Sequence, residues 1–478
     1  MPARKQQLLK RHRRMKRLGM LAALIVLLAV AVLCSHWLAL ALLFFGWIAH
    51  EAWFSDHLFY SPRTDYLYRF DDAVVSLPAR LESDCLSITG ELAEHDTLFL
   101  QVRLRATWLG RFLEPSVRIE SSADKDRQSF ELGVSGLRYL NLTGLAQALA
   151  AGEVRLRGQH CRIDHDLKLL RARHPDYRQQ RLMVIAPHAD DAELAAFGLY
   201  SQAREAWIVT LTAGEIETEH YRRMGLDGVT AARLKGRLRS WDALAVPLWG
   251  GVPAAHCATL GYFCMQLGAM RENPAKAIPS READLIDIRP FRQGNALTLP
   301  GDTDGQPTWE NLLADLRELV RKARPEVIVL PHPHFDPHPD HIAAYAAMRE
   351  VLQDLDWQAP TLLCYANHLH DNDAWPMGEG HTGVLLPPLT DGASAAADDA
   401  PLLPWSLQLT HARQIDKAMA LDMMHDLRPT LPPKRRLRRF LQTLLTGRRW
   451  PRYGENEYFR KAVRRHELFW VERLESSL

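Results

Sequence analysis

The first 54 residues divide into a cationic segment and a long apolar stretch. Residues 1–17 form a basic flank, and residues 18–54 carry few ionisable groups. Apart from one thiol, those groups are His36, His50 and Glu51. A bilayer core of about 30 Å takes about 20 helical residues, so the stretch can span it and is too long for one straight helix. The pattern predicts a transmembrane anchor at 18–54 that is oriented by its basic flank.

Two topologies fit this anchor, and the sequence leaves both open. One long tilted helix would put the rest of the chain outside the cell, whereas a hairpin of two helices, broken near residues 34–36, would return it to the cytoplasm. A cleaved secretory signal is disfavoured, because the apolar run exceeds the roughly 7–15 residues of such a segment. We expect a protein of the inner (plasma) membrane. The odd number of cysteines beyond the anchor favours a cytoplasmic catalytic domain.

The region 60–165 alternates short β-rich runs with turn residues. Such runs occur at 73–77, 97–102, 116–119 and 153–157. Short alternating runs of this kind are typical of half-buried antiparallel strands. We therefore predict a small β-rich domain of the sandwich type, which acts as a spacer or presents substrate. A polar link at 166–181 is expected to follow it.

From residue 180 onward the rhythm changes to buried strands alternating with amphipathic helices. Strands are predicted at 182–186, 206–211 and 326–330, and helices at 192–204, 309–322 and 342–352. This alternation is typical of a doubly wound α/β sheet. The catalytic domain is expected to cover 180–478, with a low-complexity loop at 390–400 and a helical C-terminal tail.

Composition adds little to this picture. The chain of 478 residues has 24% charged residues and a formal net charge of +2, which is ordinary for globular protein. The N-terminal cations precede an apolar stretch, which favours a membrane flank over nucleic-acid binding. Cys257 and Cys264 match no zinc-binding spacing, so we interpret them as core thiols.

Two clusters of histidine and aspartate each follow a predicted strand and precede a predicted helix. The first spans residues 187–193 (PHADDAE) and the second 336–341 (DPHPDH). In open α/β sheets, ligands bind beyond the carboxyl ends of the strands, so both clusters can meet in one crevice. Imidazole and carboxylate suit zinc, and a catalytic zinc site has three protein ligands. We assign these ligands to His188, Asp191 and His341, for zinc or another divalent metal.

The remaining polar residues of the two clusters are candidates for catalytic roles. Asp190 is expected to be the general base that takes a proton from the attacking water. His338, held by Asp340 through one ring nitrogen, is expected to stabilise the oxyanion of the tetrahedral intermediate. Asp190, His338 and Asp340 are therefore the predicted catalytic residues.

Both clusters resemble the motifs of the LmbE-like, or PIG-L, family of zinc-dependent de-N-acetylases. Residues 188–193 (HADDAE) are similar to the family's H-(P/A)-D-D-x-E motif, and 338–341 (HPDH) is its H-P-D-H motif. The resemblance implies a Rossmann-like hydrolase with these same metal ligands and catalytic residues. The family's Arg-x-x-Glu pattern retains Arg233, a candidate substrate-binding residue, but has Gly236 in place of the glutamate.

The leading hypothesis is a membrane-anchored zinc de-N-acetylase. Its expected partners are the lipid bilayer and an N-acetylhexosamine of a cell-envelope or lipid-linked glycoconjugate, such as lipopolysaccharide core, and no nucleic acid. Three alternatives stay open: a deacetylase of a soluble thiol-glycoside, a metal phosphoesterase, and a non-catalytic glycan-binding membrane protein. The phosphoesterase ranks lower because it usually needs ligands for two metals.

Overall fold

A computed structural model describes residues 2–354, 360–369, 371–389 and 401–474, with the backbone alone for 2–6 and 354. The low-complexity loop predicted at 390–400 lies outside the described residues.

The apolar N-terminal stretch forms two helices, α1 (Pro2–Leu33) and α2 (His36–Trp53). The helices are interrupted at residues 34–35, where the hairpin alternative places its break. The ring of His12 in α1 lies 5.2 Å from that of His57, just beyond α2, so the two helices run antiparallel. Among the described residues, α1 is the one helix that is long and apolar enough to cross a membrane, and its most apolar part is not buried inside the protein. The basic flank is helical and lies at the same end of the hairpin as residue 57.

Residues 74–172 form an antiparallel β-domain. Its strands are β1 (Val74–Glu82), β2 (Cys85–Ile88), β3 (Thr97–Ala106), β4 (Ser116–Glu120), β5 (Lys125–Ser129), β6 (Ser135–Asn141), β7 (Arg155–Gln159), β8 (Cys161–Ile163) and β9 (Leu167–Ala172). They make one sheet, in the order β5-β4-β7-β2-β1-β9-β3-β6, with β8 on β3. The β-rich prediction is confirmed, but one continuous sheet replaces the two sheets of a sandwich. The polar link predicted at 166–181 was wrong in part, because its leucines are buried in β9.

The domain that we predict to be catalytic is built on a second sheet of seven strands. These are β10 (Arg181–Ala186), β11 (Glu205–Thr212), β12 (Cys257–Tyr262), β13 (Val327–Pro331), β14 (Thr361–Tyr365), β15 (Pro404–Gln408) and β16 (His466–Arg473). The order is β12-β11-β10-β13-β14-β16-β15. The first five strands are parallel, and β16 pairs antiparallel with both β14 and β15. The predicted α/β alternation is present, but the tail expected to be helical also supplies β15 and β16.

Helices cover both faces of this sheet and complete the tail. They are α4 (Asp191–Tyr200), α5 (Glu219–Arg222), α6 (Gly228–Trp249), α7 (Leu267–Glu272), α8 (Trp309–Ala323), α9 (Pro339–Val351), α10 (His411–Met423), α11 (Pro433–Thr446) and α12 (Glu457–Ala462), while α3 (Ala146–Ala150) belongs to the β-domain. One buried apolar cluster contains Met183 and Ile185, and a second contains Leu182 and Val184. Alternate residues of β10 therefore face opposite layers of the core, as expected for a strand buried on both sides.

The β-domain packs directly on the catalytic sheet. Phe99 and Tyr139 of the β-domain share an apolar core with Met183 and Ile185. Asn141 at the end of β6 donates through its amide to the hydroxyl of Ser406 in β15, at 2.8 Å. A buried hydrogen bond of this kind fixes the geometry of the interface, because neither group can bond to water instead. The two domains are therefore held in one arrangement.

Candidate active site

The two histidine and aspartate clusters lie at one edge of the catalytic sheet. The first follows β10 and leads into α4, and the second follows β13 and leads into α9. Because β10 and β13 are adjacent parallel strands, their carboxyl ends point to the same side. The fold thus brings together side chains that are about 150 positions apart in the chain.

Three of these side chains converge on one point. Nδ1 of His188 lies 3.1 Å from Oδ2 of Asp191 and 3.3 Å from Nε2 of His341. The distance from Nε2 of His341 to the same oxygen of Asp191 is 3.1 Å. All three residues are buried. Each contributes one ligand-type atom to a triangle with sides of 3.1–3.3 Å.

Buried polar groups hold the far side of each member of this triangle. Nε2 of His188 lies 3.2 Å from the carboxylate of Asp340, and Nδ1 of His341 lies 3.0 Å from that of Asp336. The second oxygen of Asp191 accepts a hydrogen bond of 2.8 Å from the side-chain amide of Asn367. Carboxylates on the outward nitrogens of histidines are typical of metal sites, where they fix the ring and raise its basicity.

The triangle fits a divalent metal ion. Ligands about 2.0–2.1 Å from zinc in a regular tetrahedron lie about 3.3 Å from one another, close to the distances found here. Three overlapping groups of potential ligands occur at this position: His188 with His338 and His341; His188 with Cys264 and Asp340; and Asp191 with His341 and His368. One oxygen of Asp340 is buried without a hydrogen-bond partner. A site with this many carboxylates favours a cation.

The pKa of His341 also indicates that this site favours positive charge. Burial alone would lower the pKa of its imidazole, but the charges of Asp191 and Asp336 raise that pKa to about 10. The carboxylates therefore favour positive charge at this ring.

Asp190 lies beside the triangle and pairs with an arginine that the sequence analysis did not identify. Its carboxylate accepts a hydrogen bond of 3.1 Å from Arg239 of α6, whose guanidinium also pairs with Asp426. Burial raises the pKa of Asp190, and the charge of Arg239 opposes that rise. Arg239 is itself buried, and Lys235 on the same helix also binds Asp426, at 3.1 Å. The charge of Arg239 thus opposes the protonation that burial favours at Asp190.

Asp340 contacts a ring nitrogen of His338 through its backbone N–H, while its carboxylate is directed elsewhere. That carboxylate faces His188 and accepts a hydrogen bond of 2.7 Å from the backbone of Met265. His338 is the N-cap of α9, and its Nδ1 accepts from the backbone N–H of Asp340 at 3.3 Å. A ring nitrogen that accepts carries no proton, so the proton of a neutral imidazole lies on Nε2. Burial, with the charges of His188 and His341, lowers the pKa of His338 to about 3 and keeps the ring neutral.

Cys264 and His368 join the site without having been predicted. The thiol of Cys264 lies 3.6 Å from the carboxylate of Asp340, so the interpretation of this cysteine as a core thiol was incomplete. His368 follows β14 and takes part in one of the potential ligand groups. Its position beyond the end of a parallel strand is the signal that could have identified it.

Arg233 points to the loop that contains residues 283 and 284. Its guanidinium donates to the backbone carbonyls of Ala283 and Asp284, at 2.8 and 2.9 Å. At Gly236, a Cβ atom would lie 2.5 Å from the ring of Phe291, so the close packing of α6 excludes the glutamate of the family pattern. The assignment of Arg233 to substrate binding stays a prediction.

Comparison with known proteins gives one family match, and it covers this site. The model of the PIG-L family, described as GlcNAc-PI de-N-acetylase, matches residues 183–352. No curated protein matches the chain significantly.

Similar solved structures include the 4-carboxy-2-hydroxymuconate hydratase GalB of Pseudomonas putida KT2440, at 14% identity over 56% of this chain and 84% of the hydratase, with a TM-score of 0.30. A family two carbohydrate esterase of Cellvibrio japonicus matches at 12% identity over 64% of this chain and 87% of the esterase, with a TM-score of 0.15. These TM-scores are too low to inform the fold or the function. The family match alone is informative: residues 183–352 are similar to the PIG-L family, and the triangle of His188, Asp191 and His341 lies within the matched segment.

Proposed function

We propose that the protein is a membrane-anchored, zinc-dependent de-N-acetylase. It removes the acetyl group from an N-acetylhexosamine in a cell-envelope or lipid-linked glycoconjugate, with lipopolysaccharide core as one candidate. The observation that carries the proposal is the triangle of His188, Asp191 and His341, with sides of 3.1–3.3 Å, inside a domain that matches the PIG-L family.

In this proposal, the three residues of the triangle hold the divalent ion, and Asp336 and Asp340 position the two imidazoles. When bound, such an ion supplies Lewis-acid activation of a water molecule and of the amide carbonyl. Asp191 is fixed for its part by Asn367, so each ligand has a polar partner behind it.

The chain's own residues manage the protons of the reaction. Asp190 accepts a proton from the attacking water. At the same time, the oxygen of that water bonds to the carbonyl carbon of the amide, and the C=O electron pair moves onto the carbonyl oxygen. His338 donates a hydrogen bond from Nε2 to the resulting oxyanion. The C–N bond then breaks, the proton held by Asp190 passes to the departing amine, and the products are acetate and a free amino sugar.

The N-terminal hairpin supports a location at the membrane. Both helices expose large apolar side chains, among them Leu24, Ile25, Leu43 and Phe45. Because the basic flank and the end of α2 lie together, a hairpin whose flank stays in the cytoplasm would keep the catalytic domain there as well. Anchoring holds the enzyme beside a substrate that cannot leave the bilayer.

The test is acetate release from GlcNAc-phosphatidylinositol by the purified full chain in detergent, with and without a metal chelator. Chelator-sensitive release of acetate is the expected result. Release of phosphate in place of acetate would contradict the proposal in favour of a phosphoesterase. Absence of any turnover by metal-loaded protein, on this glycolipid and on lipopolysaccharide core, would also contradict it.

A further inference from the structure

A large cavity lies between the base of the anchor and the C-terminal tail. Its volume is about 670 Å³, within the range of small-molecule sites. Ser55, Asp56 and His57 line it from the chain that follows α2, and α11 and α12 form other walls. This cavity lies outside the part of the chain that matches the PIG-L family.

Two arginines of α11 give the cavity positive charge, which the more distant carboxylates of Glu455 and Glu457 offset only in part at Arg439. Arg435 and Arg439, one helical turn apart, both line it. Within the described part of the chain, neither is ion-paired with a carboxylate, and Arg439 stacks over the ring of Trp450 at 4.1 Å. Two like charges one turn apart destabilise each other, so an anion between them relieves repulsion.

The other charged groups of the cavity largely neutralise one another. Arg438 pairs with Glu51 of α2 at 2.5 Å, and Asp56 pairs with Arg448 at 2.7 Å. Lys461 lies 3.9 Å from Glu457. The arginine pair is therefore the part of the wall that can accept an added anion.

The contact of α11 with the end of the anchor places this arginine pair close to the proposed bilayer surface. Leu437, Phe440 and Leu444 follow one face of the helix and are 44%, 62% and 67% exposed. The opposite face of α11, which carries Arg435 and Arg439, adjoins the end of the anchor, because Gln442 on that face donates to Ser55 at 3.1 Å. A helix with an apolar face and flanking cations is typical of the membrane interface, where lipid phosphates lie.

The inner end of the cavity reaches the candidate active site. Tyr458 lines the cavity, and its hydroxyl lies 3.3 Å from Nδ1 of His368. His368 belongs to a potential ligand group with Asp191 and His341. One tyrosine side chain therefore connects the wall of the cavity with the candidate metal site.

We propose that this cavity binds the phosphate of a lipid-linked substrate, with Arg435 and Arg439 as its ligands. The inference rests on the proposed function and makes it more specific, because the amino sugar is then carried on a phosphate-bearing lipid. Arginine suits this role, since its guanidinium donates paired hydrogen bonds to phosphate oxygens.

The test measures binding of short-chain phosphatidic acid to the full chain in detergent by native mass spectrometry. Diacylglycerol of the same chain length and inorganic phosphate are separate arms, and every arm is run with and without a chelator. We expect the double variant Arg435→Gln/Arg439→Gln to bind phosphatidic acid at least about tenfold more weakly than wild type. The control is Arg436→Gln, which removes one positive charge from the same helix, at a position that pairs with Glu455. It should bind like wild type.

The double variant Arg435→Lys/Arg439→Lys keeps the charge and should retain most of the binding, which separates loss of charge from loss of fold. Equal binding by wild type and the double glutamine variant would overturn the inference. Binding of inorganic phosphate or diacylglycerol as tight as that of phosphatidic acid would also overturn it. These outcomes do not depend on acetate release, so the proposed deacetylation can fail while the phosphate site stands, and the reverse.

Discussion

The substitution Asp336→Asn tests the arrangement behind the candidate metal site. Asp336 is buried, and its carboxylate lies 3.0 Å from Nδ1 of His341. It also accepts backbone hydrogen bonds of 2.9 and 3.1 Å from Asn367 and His368. Asparagine keeps the size and one acceptor oxygen but removes the charge that polarises the imidazole. Loss of such a partner typically weakens metal binding about 10–100-fold, which corresponds to about 1.4–2.7 kcal/mol.

The assay is competition for zinc between the full chain in detergent and a chromophoric chelator. Asp340→Asn, which removes the carboxylate behind His188, should have an effect of the same size. The matched control is Asp242→Asn. Asp242 is also a buried carboxylate paired with a histidine, His425, but it belongs to no potential ligand group. Unchanged zinc affinity in Asp336→Asn, or an equal loss in Asp242→Asn, would refute the reasoning.

Three further substitutions test separate parts of the account. Asp190→Asn should retain zinc and lose about 10²–10⁴-fold in the rate of acetate release, and wild-type turnover would remove Asp190 as the base. His338→Ala should lower kcat about 10²–10³-fold with little change in metal content, which elemental analysis checks. His466 is buried and its ring lies 3.1 Å from the carbonyl of Thr143 in the β-domain, and burial lowers its pKa to about 3. In the unfolded state, the imidazole of His466 is protonated once the pH falls below its ordinary pKa near 6.5, whereas the folded state excludes this proton. The free energy of unfolding therefore decreases as the pH falls through that value, by about 2 kcal/mol at pH 5. In His466→Gln, the free energy of unfolding, measured by thermal or denaturant unfolding, should decrease by about 2 kcal/mol less between pH 7 and pH 5 than in wild type. An equal decrease in variant and wild type would contradict this role of His466.

The strands and helices that carry the site could be predicted because their signals are local. The runs at 182–186 and 326–330 are apolar and short, and β10 (Arg181–Ala186) and β13 (Val327–Pro331) form there. Each is followed by a polar cluster and a helix, so strand ends and metal-type side chains coincide in the sequence. The structure interrupts the helix near the predicted break at residues 34–36, but among the described residues only α1 is long and apolar enough to cross a membrane, so the choice between the two topologies stays a prediction.

Contacts between distant segments could not be predicted from the sequence. Arg239 reaches Asp190 across 49 positions, and Asn367 reaches Asp191 across 176, so neither spacing signals a contact. Asp340 illustrates a contact that was predicted only in outline. We expected it to hold His338 through one ring nitrogen, and the sequence could not show that the backbone N–H of Asp340, in the first turn of α9, makes this contact.

The edge of the catalytic sheet was missed for a related reason. β16 (His466–Arg473) has a buried apolar run too short to distinguish a strand from a helix, and its partners β14 and β15 lie about 60–110 positions away. Pairing with them, and not the local sequence, decides its structure.

The central claim is that His188, Asp191 and His341 share one divalent ion, and elemental analysis of purified protein tests it most directly. The account predicts about one zinc, or an equivalent divalent metal, per chain in wild type and in Cys264→Ala, and almost none in folded His341→Ala. A full complement of metal in His341→Ala, or its loss in Cys264→Ala, would contradict the account and place the ion elsewhere in the cluster.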